Sequence, residues 1–168
     1  VKEILKRTLV RMLICCVIAL LFCITGNAKV PYIPKIINYS VSDYKAGNQN
    51  WAVSQGPGGK MYIGNNRGLL VFDGIHWDLV KLPNNLGVRA LYISKDGRIY
   101  VGSFEEFGYF EMDDENDLIY HSLSSSEMNV YLNNDEFWTI NEYKGEIYFQ
   151  SFRSFFIYDG EKVRKGVS

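Results

Sequence analysis

One phrase occurs three times in this chain, and that repetition limits its fold more than any other feature. It reads GKMYIGNNRGLLVF from Gly59, GRIYVGSFEEFGYF from Gly97 and GEIYFQSFRSFFIY from Gly145. Tyr62, Tyr100 and Tyr148 fall at the same point, spaced 38 and 48 residues apart, each three residues after its glycine. An apolar run precedes each tyrosine: Trp51-Ala52-Val53, Val88 to Leu91, and Phe137 to Ile140. Aromatic or apolar runs follow at Leu70-Val71-Phe72, Gly108-Tyr109-Phe110 and Phe155 to Tyr158. A fourth short run closes each unit, at Trp77 to Val80, Leu118 to His121, and Lys162-Val163. Asp73-Gly74, Asp96-Gly97 and Asp159-Gly160 are hairpin signals, because glycine takes the positive φ of tight turns without a steric penalty. A repeat of about 40 residues holding four strands is the pattern of a propeller blade. The expected fold is all-β: about three four-stranded β-propeller blades, an incomplete propeller after an N-terminal signal segment. The blades run about 51–82, 88–123 and 137–168, after a lead-in at 29–50. The alternative is a β-sandwich of ten or more short strands, which the period disfavours. The longer second spacing places a loop with one turn of helix around Leu123 to Asp135.

Alternation within strands fits sheets covered on both faces. In Arg98 to Gly102, Ile99 and Val101 point one way, and Arg98 and Tyr100 the other. Three blades are fewer than the roughly four to eight that close a ring. The chain is therefore the front of a longer protein, or its blades assemble between molecules, including as a homodimer. An open arc would expose strand edges.

Residues 1–28 read differently. Lys2, Lys6, Arg7 and Arg11 form a basic opening, Met12 to Ile24 carries no charge, and Thr25 to Ala28 is small and polar. That is the layout of a secretory signal, with cleavage after Ala28. The thirteen apolar residues would rise about 20 Å as a helix, short of a ~30 Å bilayer core. An uncleaved anchor and a buried core helix are the other readings. All three cysteines, Cys15, Cys16 and Cys23, lie in this segment. The remainder therefore has neither disulfides nor a Cys-based metal site or nucleophile. It carries 14 basic against 18 acidic side chains, a formal charge of −4, with no basic run. That argues against nucleic-acid binding by this segment.

Ile37 to Gln55, Tyr62 to Asn84 and Val88 to Asp113 carry a resemblance. Gln49-Asn50-Trp51 and Asn66 to Gly74 are its most specific stretches. The chain resembles the start of the large sensor-regulators of Bacteroides-type bacteria, built on "two-component regulator propeller" repeats. In that family a signal segment precedes a periplasmic propeller. A triple-tyrosine immunoglobulin-like domain, a membrane helix and a cytoplasmic output part follow. The output is a LuxR-type helix-turn-helix or a histidine kinase. The resemblance covers nearly all of residues 30–168, and implies the N-terminal piece of a sensor whose DNA-binding or kinase activity lies elsewhere. It implies a periplasmic location, with membrane contact only through the N-terminal segment or a later part. It also implies a transcriptional regulator that senses a carbohydrate or an envelope cue.

Candidate chemistry is sparse. His76 and His121 lack metal-ligand spacing. Asp113 to Asp117 lacks the calcium-loop pattern and reads as a solvated turn. Ser94 to Gly97 lacks the Thr-Trp of a sialidase Asp-box. No cofactor is expected. The loops between second and third strands emerge together on one propeller face. They offer Asn65, Asn66 and Arg67; Phe104, Glu105 and Glu106 beside Ser103 and Phe107; and Arg153 beside Ser151 and Phe152. Aromatic and hydrogen-bonding groups in one rim suit a sugar, whose ring faces stack while its hydroxyls bond. These residues are the candidate ligand-binding set; the alternative is that the phenylalanines pack between blades. The expected function is a non-catalytic extracytoplasmic sensor. Alternatives are a stand-alone exported glycan- or protein-binding propeller, a propeller hydrolase or lyase with a carboxylate pair in its channel, and a remnant of a truncated gene.

Overall fold

The computed structural model describes residues 2–24 and 33–166. The chain divides into two compact units, Val1–Ile37 and Asn38–Ser168. The first contains helix α1, Lys2–Ile24. Its apolar run lacks proline and glycine, so nothing interrupts the helical ladder. Among the described residues, no helix is long and apolar enough to cross a membrane. The expected cleavage point after Ala28 lies outside the described residues.

The second unit opens with a single helical turn, α2 (Val41–Tyr44). The Asp43 carboxylate accepts the Ser40 backbone N–H at 2.6 Å, satisfying a donor that the turn leaves free. Three sheets follow in chain order. The first holds β1 (Asn50–Gln55), β2 (Met61–Asn65), β3 (Gly68–Phe72) and β4 (Trp77–Val80). The second holds β5 (Ala90–Ile93), β6 (Ile99–Gly102), β7 (Phe107–Met112) and β8 (Leu118–Ser122). A short 3-10 turn and helix α3 (Asn129–Leu132) occupy the longer connection. The third holds β9 (Phe137–Tyr143), β10 (Glu146–Ser151), β11 (Phe155–Tyr158) and β12 (Val163–Lys165). Each sheet is an antiparallel meander, and the first strands β1, β5 and β9 lie beside one another. These are propeller blades, with their first strands innermost.

The alternation expected in β6 explains how the blades stack. Ile99 and Val101 pack with Tyr62, Leu69, Val71 and Val88 between blades 1 and 2. Tyr100, one residue between them, packs on the opposite face with Phe149 and Tyr158 of blade 3. The second interface is aromatic: Phe107 is fully buried and lies 4.7 Å, ring to ring, from both Phe137 and Phe149. Burying one such side chain is worth roughly 2–3 kcal/mol. The repeated tyrosine is thus the residue that blade 1 offers to blade 2, as Tyr62, and blade 2 to blade 3, as Tyr100.

Close approach fixes some glycines. A Cβ on Gly102 would lie 2.6 Å from the Cβ of Phe137, so blade 3 can seat on β6 only if that position is bare. At the third-to-fourth-strand hairpins one device recurs. The Asp73 carboxylate accepts the N–H groups of Ile75 and His76, both at 2.7 Å. Asp113 and Asp159 do the same for their own turns. The acidic run at Asp113 is therefore hairpin capping.

Blade 1 has its outer face covered by the lead-in. Tyr44 and Ala46 pack on Ile63 and Leu70, with Met61, Trp77 and Leu79 around them. Asn65 fastens this segment. Its Oδ1 accepts from Gly47 N (2.8 Å) and Arg67 N (3.0 Å). Its Nδ2 donates to Gly47 O and to Asn50 Oδ1, both at 2.7 Å. Both lone pairs and both N–H groups of the amide are used.

Candidate functional site

Backbone pairing sets the positions on the loop face. Val88 N donates to Asn65 O at 2.9 Å, and Phe137 N donates to Ser103 O at 3.0 Å. Val88 and Phe137 therefore enter their blades at equivalent points, and Arg89 and Trp138 follow them. Trp51 occupies the same position in blade 1, at a register shift between Asn50 and Ala52. Blade 3 shifts register at the corresponding place, between Gln150 and Ser151. Such bulges turn a side chain out of the regular alternation.

The result is a row of flat groups across three blades. The Arg89 guanidinium lies 4.5 Å over the Trp51 ring. Trp51 meets Trp138 edge-on at 5.6 Å, and Trp138 meets Phe152 at 5.6 Å. Trp51 is 40% exposed and Phe152 78%. Polar groups frame the Trp51 end. Asn66 Oδ1 accepts from Trp51 Nε1 at 2.7 Å and from Arg89 Nη1. Asn66 Nδ2 donates to Gln49 Oε1 at 2.6 Å. Arg89 Nε donates to Glu136 Oε1 at 2.6 Å, an ion pair with both side chains 22% exposed. Trp138 Nε1 is buried without a hydrogen-bond partner among the described residues.

The sequence-predicted residues divide on this frame. Asn66 stands in the polar frame of the row. Phe104 is half exposed, and its backbone bridges to Glu136, bringing the blade 2 loop beside the entry to blade 3. Arg67 and Arg153 are exposed. Asn65 is fully buried in the fastening of the lead-in, so it is not open to a ligand. It sits at the end of the second strand, where blades 2 and 3 carry Ser103 and Ser151, both also buried. Glu105 accepts the Asn134 N–H. Glu106 accepts the Tyr120 hydroxyl at 2.9 Å and the Ser122 hydroxyl at 2.7 Å, which turns it toward the fourth strand of its own blade. Burial, then the Glu106 carboxylate, push the Tyr120 hydroxyl well above its ordinary pKa.

Trp51, Arg89, Glu136 and Trp138 were not in the predicted set. A signal existed, because Trp51 and Trp138 occupy the same place in units 1 and 3. Arginine at that place in unit 2 hides it.

No family model and no curated protein matches the chain. Solved structures do. The extracellular domain of the BT4673 system of B. thetaiotaomicron, described as one-component, has a TM-score of 0.63 at 12% identity, over 80% of this chain and 19% of that one. The extracellular domain of the hybrid two-component system BT3049 from the same organism has a TM-score of 0.54 at 20% identity, over 79% and 18%. Virginiamycin B lyase from Staphylococcus aureus has a TM-score of 0.52 at 17% identity, over 69% and 40%. The chain thus spans about a fifth of the length of the two B. thetaiotaomicron domains it matches. These likenesses establish the fold, three blades of a β-propeller. The two B. thetaiotaomicron neighbours are extracellular parts of signalling systems, the kind of protein the sequence resembles.

Proposed function

We propose that this chain is the ligand-binding front of an exported, non-catalytic sensor. It would reach the periplasm through its N-terminal segment, by cleavage after Ala28 or as an inner-membrane anchor. The loop face would meet a carbohydrate or another envelope-derived ligand. Binding would favour one arrangement of the propeller over another, and that shift of population would be the signal. The carrying observation is the row Arg89–Trp51–Trp138–Phe152, flat groups from three blades on one face with amides at its edge. Stacking on such a surface suits the apolar face of a sugar ring. The lyase neighbour raises catalysis as a second reading. Against it, the carboxylate that touches the row, Glu136, is held by Arg89. Neither nucleic acid nor a cofactor has a role in this reading. A homodimer is compatible with it.

The test has two parts. An epitope tag at the native locus, followed by proteinase treatment of spheroplasts, should show degradation without lysis; protection until lysis refutes export. Tryptophan emission of the purified chain should change on titration with oligosaccharides released from the cell envelope. The change should vanish in Trp51→Ala. Emission that stays constant throughout refutes the ligand face.

A further inference from the structure

We propose that the cavity beside Phe152 binds an anionic group carried on a ring, so that the ligand of the loop face is an acidic sugar. This rests on the ligand-binding reading above. The cavity has about 440 Å³ and lies between the β10–β11 loop and the end of β12. Phe152 and Phe155 give it aromatic walls, Gln150 and Ser154 give it hydrogen-bonding groups, and Arg153 and Lys165 give it charge. Among the described residues no carboxylate lines it.

The charged groups that line it are of one sign. Among the described residues neither Arg153 nor Lys165 takes part in a salt bridge. The Lys165 ammonium lies 3.9 Å over the Tyr131 ring, which holds it in place without neutralising it. Four carboxylates of the same loops are engaged inside the chain. Glu136 binds Arg89, Glu105 binds the Asn134 N–H, Glu106 binds Tyr120 and Ser122, and Asp135 binds Ser151. Of these, Glu136 is paired with a cation, and among the described residues the two cations of the recess have no carboxylate partner. A guanidinium recognises a carboxylate or sulfate by paired N–H donors, a stronger contact than any it makes with a hydroxyl. Phe152 ends the aromatic row and also walls the cavity, so a ring stacked there would place an acidic substituent beside Arg153. A neutral sugar could stack on the same wall and would gain little from either cation.

The experiment is calorimetric titration of the full chain with three probes: D-glucuronate, D-glucose and cyclohexanecarboxylate. Arg153→Gln and Lys165→Gln are made in parallel; both side chains are exposed, so the fold should persist. Glucuronate should bind at least about tenfold tighter than glucose, and each variant should lose most of that preference. The preference should also shrink as salt rises from about 20 to about 150 mM. Glucose binding as tightly as glucuronate overturns the proposal and leaves sugar binding standing. Cyclohexanecarboxylate matching glucuronate supports the anion site and removes the case for a sugar. Failure of both anions to bind overturns the proposal outright.

Discussion

Replacing Asn65 with alanine should loosen the lead-in from blade 1. The side chain is fully buried and makes four hydrogen bonds, to Gly47 N, Gly47 O, Asn50 Oδ1 and Arg67 N. A net hydrogen bond is worth about 1 kcal/mol, and a buried partner left unsatisfied costs more. Water can reach some of the four partners, since their surroundings are only part-buried, so the loss should be about 3 kcal/mol. For a unit of about 130 residues the unfolding entropy near Tm makes this a fall of about 10 °C. Thermal unfolding followed by circular dichroism measures it. Limited trypsin digestion reads the local effect, because Lys45 lies in the released segment and should be cut earlier in the variant. Asn65→Asp separates hydrogen bonding from size. It keeps the acceptors for Gly47 N and Arg67 N but turns a carboxylate oxygen on Gly47 O and Asn50 Oδ1. It should be at least as damaging as alanine, despite nearly equal volume. A loss below about 1 kcal/mol in alanine, with unchanged cutting at Lys45, would refute the fastening role.

Three further outcomes are expected. Arg89→Ala leaves Glu136 as a part-buried carboxylate without its cation and should cost about 2–3 kcal/mol in urea unfolding, with Arg89→Lys intermediate. Gly102→Ala sets a Cβ against Phe137 and should destabilise by about 1–3 kcal/mol, whereas Gly74→Ala meets open space and should show only the smaller penalty of its positive φ. The N–H groups of His76 and then Ile75 hold the Asp73 carboxyl at about 2, below its ordinary 3.8. Because the folded value is the lower one, its contribution to stability is complete above about pH 4 and is lost as pH falls toward 2. Asp73→Asn should keep an acceptor and flatten that part of the acid-unfolding curve, and carbon-detected NMR titration of Asp73 checks the value directly.

How far the sequence could be read depended on what each residue has to do. Tyr62, Tyr100 and Tyr148 repeat because every blade must offer the same kind of face to its successor, so the blades and their stacking were visible. The alternation of Ile99, Tyr100 and Val101 reports two covered faces, and the structure buries all three. The burial of Asn65 was not legible, because amides occur in ligand sites and in buried fastenings alike, and one sequence does not say which way a loop amide turns. Its equivalents Ser103 and Ser151, short and polar, held the hint that this position faces inward. The orientation of Glu106 was illegible for the same reason, since its partners Tyr120 and Ser122 lie on a strand fourteen and sixteen residues away. The row Arg89–Trp51–Trp138 escaped because it follows from register shifts at the bulges, and no local propensity announces those.

The lead-in over blade 1 also bears on how such a chain is made. During synthesis the N-terminal part emerges first, and the fastened Tyr44 and Ala46 give blade 1 a finished back before blade 2 exists. Each later blade can then pack on the tyrosine face of its predecessor, as Phe149 and Tyr158 of blade 3 do on Tyr100. A growing chain of this design therefore shows the cell one adhesive surface at a time, always at its youngest end. Neighbouring nascent chains that met back to front would find the backs already closed, which protects a repetitive sequence from joining the wrong copy.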